Sequence, residues 1–273
     1  MIDLNGKVAV ITGAADAQGM GAASARALAR CGASVVLSDI RVAQTQDRAE
    51  ELRADGYDAV AVECDVRDEA QVVALMCRAV DTYGRLDILH SQAADLSLLA
   101  DPGDPAITEV TVEGWRTQFE TIVLGAVLTC KHAIPHMLRR GGGSIICTTS
   151  VAGLVGEINL TVYGSAKAAV NQLVRSISSQ FGDQGIRANA VAPGLILTAP
   201  ALAMGEELIE KYARHSDTGL VGKPEDVGYV VAFLASGLAR LITGEVIRAD
   251  GGYAQHSPML ADQRDSGLML GGA

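Results

Sequence analysis

Short apolar runs alternate with longer amphipathic stretches along nearly the whole chain. Residues 7–12, 34–38, 58–64, 86–90, 144–149, 187–192 and 245–249 read as strands: each is brief, rich in β-branched or small apolar residues, and bounded by glycine or polar residues. Residues 19–31, 42–55, 68–83, 113–139, 161–181 and 224–236 carry apolar positions at helical spacing. Strand–helix alternation of this length predicts a parallel sheet covered on both faces by helices, an α/β fold. Two longer stretches interrupt the pattern, residues 95–112 and 195–222, the second with room for one short helix. Long loops in a compact domain usually carry function. Both follow strands, which places them at the carboxyl edge, where doubly wound sheets bind ligands.

Three features on that edge carry candidate chemistry. Tyr163 and Lys167 are four apart in a helical stretch, so a phenol and an ammonium share one face, one turn apart. A nearby ammonium favours phenolate and lowers the phenol pKa from about 10, which suits proton exchange with a substrate oxygen. Ser150 lies thirteen residues before Tyr163, just beyond a strand. The third feature is the first turn, where Thr12-Gly13 ends a strand and Gly19-Met20-Gly21 opens a helix. Glycines there let a diphosphate approach the backbone, and a helix N-terminus supplies free N–H groups. Asp39 ends the second strand eighteen residues after Gly21. A carboxylate there accepts from ribose hydroxyls and repels a 2′-phosphate, so NAD is expected over NADP, although Arg41 two residues on keeps NADP in view. Asp65 follows the third strand, where it either meets an adenine or caps the next helix.

Composition narrows the class. The 273 residues are 49% hydrophobic and 20% charged, enough for one domain with a sizeable core. A net charge of −10 argues against nucleic acid and anionic membrane surfaces as partners. Cys31, Cys64, Cys77, Cys130 and Cys147 are scattered, so reduced, buried thiols are expected. His132 and His136 have helical i, i+4 spacing but no third ligand in view, so no metal is expected. The absence of a basic-then-apolar leader and of an 18-residue apolar run points to a cytoplasmic protein.

With these residues in place, residues 4–252 resemble the short-chain dehydrogenase/reductase family. The matching motifs are Thr12-Gly13, Gly19-Met20-Gly21, Asp65-Val66, Ser150, Tyr163-x-x-x-Lys167, Pro193-Gly194 and Asp250-Gly251-Gly252. The resemblance implies a single Rossmann-like domain, residues 1–252, with about seven parallel strands and helices on both faces. It implies NAD(P)-dependent alcohol–carbonyl chemistry and a homotetramer or homodimer. By the same resemblance, Ser150 holds the substrate oxygen and Tyr163 is the acid/base. Lys167 holds the nicotinamide ribose and lowers the tyrosine pKa. Pro193, Gly194 and Thr198 flank the nicotinamide, while Gln92 and Ala93 belong to the cofactor-supporting motif after the fourth strand. Residues 253–273 form an extension whose apolar Met259, Leu260, Leu268, Met269 and Leu270 either pack on the same or a neighbouring subunit, cap the substrate pocket, or stay disordered.

Three departures stand out. The glycine turn is two residues longer than the family's and carries Asp16, so it should bulge. The usual Asn-Asn-Ala-Gly reads Ser91-Gln92-Ala93-Ala94. Ile122 stands where the family places an asparagine that holds a relay water, so the proton leaves by another route, such as Thr121, or turnover is impaired. The expectation is an NAD-dependent oxidoreductase that interconverts a secondary alcohol and a ketone. The apolar residues 195–204 favour a hydrophobic, cyclic or aromatic substrate. The competing reading is a nucleotide-binding scaffold or sensor with little turnover.

Overall fold

Burial on both faces shapes the centre of the molecule. The five residues of β1 (Val8–Thr12) are all buried, as a central parallel strand between two helix layers requires. The structure, a computed structural model, describes residues 2–95 and 105–267. The other strands are β2 (Ser34–Asp39), β3 (Ala59–Glu63), β4 (Ile88–Ser91), β5 (Gly143–Thr148), β6 (Ile186–Pro193) and β7 (Val246–Ala249). All pair in parallel in the order β3-β2-β1-β4-β5-β6-β7, the doubly wound sheet expected from the alternation. The order reverses between β1 and β4, which opens a crevice at their carboxyl ends.

The helices are α1 (Met20–Arg30), α2 (Val42–Ala54), α3 (Glu69–Tyr83), α4 (Val112–Gln118), α5 (Gly125–Leu138), α6 (Thr161–Phe181), α7 (Ala199–Leu202), α8 (Glu206–Arg214), α9 (Pro224–Ala235) and α10 (Leu260–Asp265). One core lies under α3, α5 and α6 and contains Leu75, Met76, Leu89 and Ile145. The second lies under α1, α2 and α9 and contains Ile11, Leu28, Leu37 and Ile146. Each such side chain, fully buried, contributes roughly 1.5–3 kcal/mol. Local signals set the ends of α3: the Asp68 carboxylate accepts from the amides of Ala70 and Gln71, and Gly84 closes the helix at φ 76°.

Two elements differ from the sequence expectation. The single helix expected over residues 113–139 is broken by a π-helical turn, Phe119–Leu124, between α4 and α5. Apolar spacing cannot distinguish i+5 from i+4 pairing over one turn, and such turns often mark functional sites. Trp115 stacks on Phe119 across this break, with centroids 4.6 Å apart. By length and composition Val112–Leu138 would suffice to cross a membrane, but half of its most apolar window is buried within the fold. The stretch after β6 holds two helices, α7 and α8, in place of one.

Candidate active site

The first wall of the crevice is the glycine turn. Gly13 has φ 68°, and a Cβ on it would lie 2.9 Å from the Ala93 Cα, so only glycine lets β1 meet the segment after β4. Thr12 fixes that contact: its buried hydroxyl accepts from the amides of Gln92 (3.0 Å) and Ala93 (3.1 Å). A Cβ on Gly21 would fall 2.2 Å from the Gly13 carbonyl oxygen, so α1 also starts hard against the turn. The N-terminus of α1, at Gly19 and Met20, has no side-chain cap and no acidic residue in its first turn. These features fit a diphosphate, which would take up the free N–H groups. The extra length is exposed at Ala17 and Gln18. The Asp16 carboxylate turns back to accept from the Gln18 amide at 3.0 Å.

Asp39 sits at the end of β2, only 9% exposed. It accepts from the Ala15 amide (3.2 Å), the Arg41 amide (3.1 Å) and the Arg41 guanidinium (3.3 Å). The carboxylate therefore tethers the long glycine turn, a role its position in sequence does not reveal. Asp65 is not the cap of α3, since Asp68 is. Its carboxylate is gripped by both donor nitrogens of Arg67, with contacts of 2.7–3.1 Å, and the hydrogen bonds from Arg67 hold its pKa below the usual range. Val66 is buried, and a Cβ on Gly125 would meet its methyl at 2.7 Å, so the start of α5 is shaped to it. The Gln92 side-chain oxygen is buried without a hydrogen-bond partner among the described residues.

Ser150, Tyr163 and Lys167 come together at the ends of β5 and α6. Ser150 is extended (φ −163°) and caps a 3-10 turn, Val151–Gly153, by accepting from the Ala152 amide at 3.2 Å. That turn lies on α6 through small residues: a Cβ on Gly164 would meet the Ala152 oxygen at 2.6 Å, and one on Gly153 the Lys167 carbonyl carbon at 2.9 Å. The close packing sets Ser150 within hydrogen-bonding range of the Tyr163 hydroxyl. Lys167 is 3% exposed and donates to the Thr148 carbonyl at 2.9 Å, its Nζ 5.5 Å from the centroid of the Tyr163 ring.

The expected lowering of the phenol pKa is not what this arrangement produces. Burial pushes Tyr163 up to about 12, with the Ser150 hydrogen bond pulling the other way. Burial also pulls Lys167 down to about 8. Desolvation opposes both charged forms and is the largest cause of each shift.

Ile122, on the π turn, is 3% exposed and belongs to the apolar core. On the far wall, Pro193 ends β6, and Gly194 donates to the Ala249 carbonyl (3.2 Å) with its Cα against Asp250. Thr198 is the residue before α7.

Other sequence expectations resolve differently. Cys64, Cys130 and Cys147 are buried, but Cys77 is exposed and Cys31 partly so, because α3 turns Cys77 outward. His132 bonds Glu69 at 2.8 Å and His136 bonds Arg139 at 2.7 Å. Among the described residues no group of three or more metal-ligating side chains stands together. Of the apolar residues in the extension, Met259 is exposed and Leu260 begins α10, while Leu268, Met269 and Leu270 lie outside the described residues.

A reversed parallel sheet, a glycine turn abutting a helix N-terminus, and a Ser–Tyr–Lys group at the same edge define a class, and comparison with known proteins agrees. The family model described as enoyl-(acyl carrier protein) reductase matches residues 13–254. The chain is 40% identical to a cis-4-hydroxycyclohexanecarboxylate dehydrogenase of Sinomonas cyclohexanicum, covering 90% of this chain and 96% of that one. It is 35% identical to a cyclohexanol dehydrogenase of Acinetobacter sp. (strain SE19), covering 91% and 95%. The solved structure of a 7α-hydroxysteroid dehydrogenase complexed with NADH and 7-oxo glycochenodeoxycholic acid superimposes with a TM-score of 0.86 at 33% identity, covering 93% and 97%. The chain belongs to the short-chain dehydrogenase/reductase family.

Proposed function

We propose that the protein is an NAD-dependent oxidoreductase that interconverts a hydrophobic cyclic secondary alcohol and its ketone. The observation that carries this reading is the meeting of Ser150, Tyr163 and Lys167 beside the turn that fits a diphosphate. The named activities of the relatives, on cyclohexanols and a hydroxysteroid, support a ring alcohol. Gly13, Gly19, Met20 and Gly21 hold the diphosphate and Asp39 the adenosine ribose. Asp65 and Val66 border the adenine. Gln92, Ala93, Pro193, Gly194 and Thr198 border the nicotinamide end. The nicotinamide, when bound, supplies the hydride acceptor or donor.

The chain's own part is position and proton. Ser150 donates to the substrate oxygen and holds it beside the Tyr163 hydroxyl. With its pKa near 12, Tyr163 carries its proton at neutral pH, so it is ready to protonate the oxygen of a ketone as reduction proceeds. In oxidation it must first lose that proton, and the Lys167 ammonium, 5.5 Å from the ring centroid, stabilises the phenolate.

Asp39, turned toward both the glycine turn and Arg41, favours NAD by repelling a 2′-phosphate. Exposed Leu124 and Val127 on the π turn and α5 support assembly into a homotetramer or homodimer. Residues 1–252 form the catalytic domain and residues 253–273 an extension, of which α10 is paired with α8 of the same subunit. The charge and the free cysteines suit the cytoplasm.

Ile122, apolar and buried where the family keeps an asparagine, favours a second reading: a nucleotide-binding scaffold with little turnover. Fluorescence of NADH separates the two. Cyclohexanol, cyclohexanone and hydroxysteroids are assayed with NAD and NADP beside a binding titration. Turnover of a ring alcohol with NAD is expected. Tight NADH binding with no turnover across the panel would select the scaffold.

A further inference from the structure

β4 and β5 separate at the crevice, and their separation leaves one backbone oxygen open. Their parallel ladder ends with Ser91 opposite Cys147. On the other side of β5, the Thr149 amide donates to the Val191 carbonyl of β6 at 2.7 Å. A trans peptide points its C=O opposite to its N–H, so the Thr148 carbonyl turns away from β6 and toward β4. The donor that would continue the ladder there is the Ala93 amide. It donates instead to the Thr12 hydroxyl at 3.1 Å, because the segment after β4 bends toward the glycine turn. Lys167 takes the vacated place: its Nζ donates to the Thr148 carbonyl at 2.9 Å.

Beyond the last ladder pair the two strands are joined by side chains. His90 of β4 is the register partner of Ile146, two residues before Thr148, so His90 and Thr148 are diagonal neighbours on one face of the sheet. Nε2 of His90 meets the Thr148 hydroxyl at 2.8 Å, and both residues are buried. That face carries Ile11, Ile88 and Ile146 and lies under α1, α2 and α9. Lys167 comes from α6, on the opposite face. Thr148 is therefore gripped by its hydroxyl from one side of the sheet and offers its carbonyl to a lysine arriving from the other.

A histidine in this place is costly. Burial holds its pKa down at about 3, so the ring is neutral. Its Nδ1 is buried with no hydrogen-bond partner among the described residues. An apolar pair of similar shape would leave no nitrogen unpaired, and such local rules are broken chiefly where function requires it. The chemistry described so far gives His90 no part. Its bond leads to the residue whose carbonyl holds Lys167, with Nζ 5.5 Å from the centroid of the Tyr163 ring.

We propose that His90 is a positioning residue for the Ser150, Tyr163 and Lys167 group. Through the Thr148 hydroxyl it fixes the Thr148 peptide at the open end of the β4–β5 ladder, and so fixes where the Lys167 ammonium stands beside Tyr163. This role rests on the oxidoreductase reading and adds to it a residue buried behind the sheet. Without the bond, the end of β5 is free to shift, the carbonyl moves, and the ammonium follows it. A displaced ammonium supports the phenolate less well.

The test measures kcat and KM with NAD for whichever ring alcohol, cyclohexanol or a hydroxysteroid, the parent oxidises fastest. His90→Leu should lower kcat by about ten- to a hundredfold, as small misplacements in an active site do, with KM for the alcohol near the parental value. His90→Gln sets an amide where Nε2 stood and should recover most of the loss. Thr148→Val should reproduce the loss, whereas Thr148→Ser, which keeps the hydroxyl, should recover most of it. The double variant His90→Leu/Thr148→Val should lose no more than the larger single loss, because both changes remove the same bond. The Thr148 variants keep the test standing if His90→Leu does not fold, which NADH titration reports. Parental kcat in folded His90→Leu or Thr148→Val overturns the role and leaves the oxidoreductase reading intact. Losses that multiply in the double variant do the same. No turnover of any ring alcohol by the parent protein overturns both.

Discussion

Thr148 joins two buried bases: its carbonyl accepts from Lys167 at 2.9 Å, and its hydroxyl meets Nε2 of His90 at 2.8 Å. One residue at the end of β5 thus braces the ammonium beside Tyr163 against the core under β4. Both bases are held away from their ordinary pKa by burial, Lys167 at about 8 and His90 at about 3. The consequences for pH have opposite places on the scale.

For Lys167 the window is alkaline. Between about 8 and the ordinary lysine value near 10.4, the unfolded chain keeps a proton that the folded chain has released, so this group adds stability as pH rises. Lys167→Met should abolish that increment. At pH 7 the variant should match or exceed the parent by about 1–3 kcal/mol while losing turnover. Urea unfolding at pH 7 and pH 10 checks it; a parent-minus-variant difference that does not change with pH would contradict it.

For His90 the window is acidic. As pH falls below about 6.5 the unfolded chain gains a proton that the buried ring refuses until about 3, so stability is lost across that range. The slope is about 1.4 kcal/mol per pH unit at most. His90→Gln should flatten it, losing about 1–2 kcal/mol less than the parent between pH 7 and pH 5. Equal losses in parent and variant would show that the ring does not govern the acid limb.

Tyr163→Phe removes only the hydroxyl. It should bind NADH as the parent does and lose turnover by about 10²–10⁴-fold. Because burial holds the phenol near 12, alcohol oxidation by the parent should accelerate as pH rises from 7 and level off near 8, where Lys167 gives up the charge that supports the phenolate. Near-parental rates in the variant would remove Tyr163 from the chemistry.

Asp39→Ser should narrow the preference for NAD over NADP. It should also loosen the glycine turn, because the Ala15 amide loses its acceptor at 3.2 Å, at a cost of about 1–3 kcal/mol. Titration of both cofactors, with thermal unfolding, reads the two effects separately. Equal NAD and NADP affinity in the parent would rule out the assignment.

Ile122→Asn tests the π turn. Isoleucine here is 3% exposed, so the change forfeits about 1.5–3 kcal/mol of burial and adds about 1–3 kcal/mol if the amide finds no partner. A less stable protein is expected. A rise in kcat with a reduced solvent isotope effect would show that proton release limits the parent; no change in either would mean the proton leaves without an asparagine.

The sheet and its helices were legible because burial on two faces leaves a simple trace, as in the apolar run of β1. The meeting of Ser150, Tyr163 and Lys167 was legible too, since one helical turn and one strand end fix it. What was hidden depends on distance in the chain or on solvent. Tyr212 and Tyr253, whose rings pack with centroids 5.5 Å apart, are 41 residues apart in the chain, and no local pattern joins them. The tether from Asp39 to Ala15 needs the longer turn to be folded before it can be seen. The pKa of Tyr163 follows from desolvation, which spacing along a helix does not encode. The π turn differs from an α-helical turn by a single residue, too little for hydrophobic periodicity to register.

The segment after β7 is fastened to α8 and the residues that follow it by several bonds. Arg214 of α8 pairs with Asp262 and Asp265 of α10, Arg264 donates to the carbonyls of Ser216 and Asp217 at 2.8 Å, and His256 donates to the carbonyl of His215 at 2.6 Å. The opposite end of the chain enters at the amino edge of the sheet, where the Leu4 amide bonds the Cys31 carbonyl. The two ends are therefore unequal as handles. An affinity tag or a tether to a solid support at the carboxyl end would pull on the bonds that seat α8, whereas the same attachment at the amino end would load only the base of the sheet. For immobilised catalysis, the end by which the protein is anchored becomes a variable of the rate.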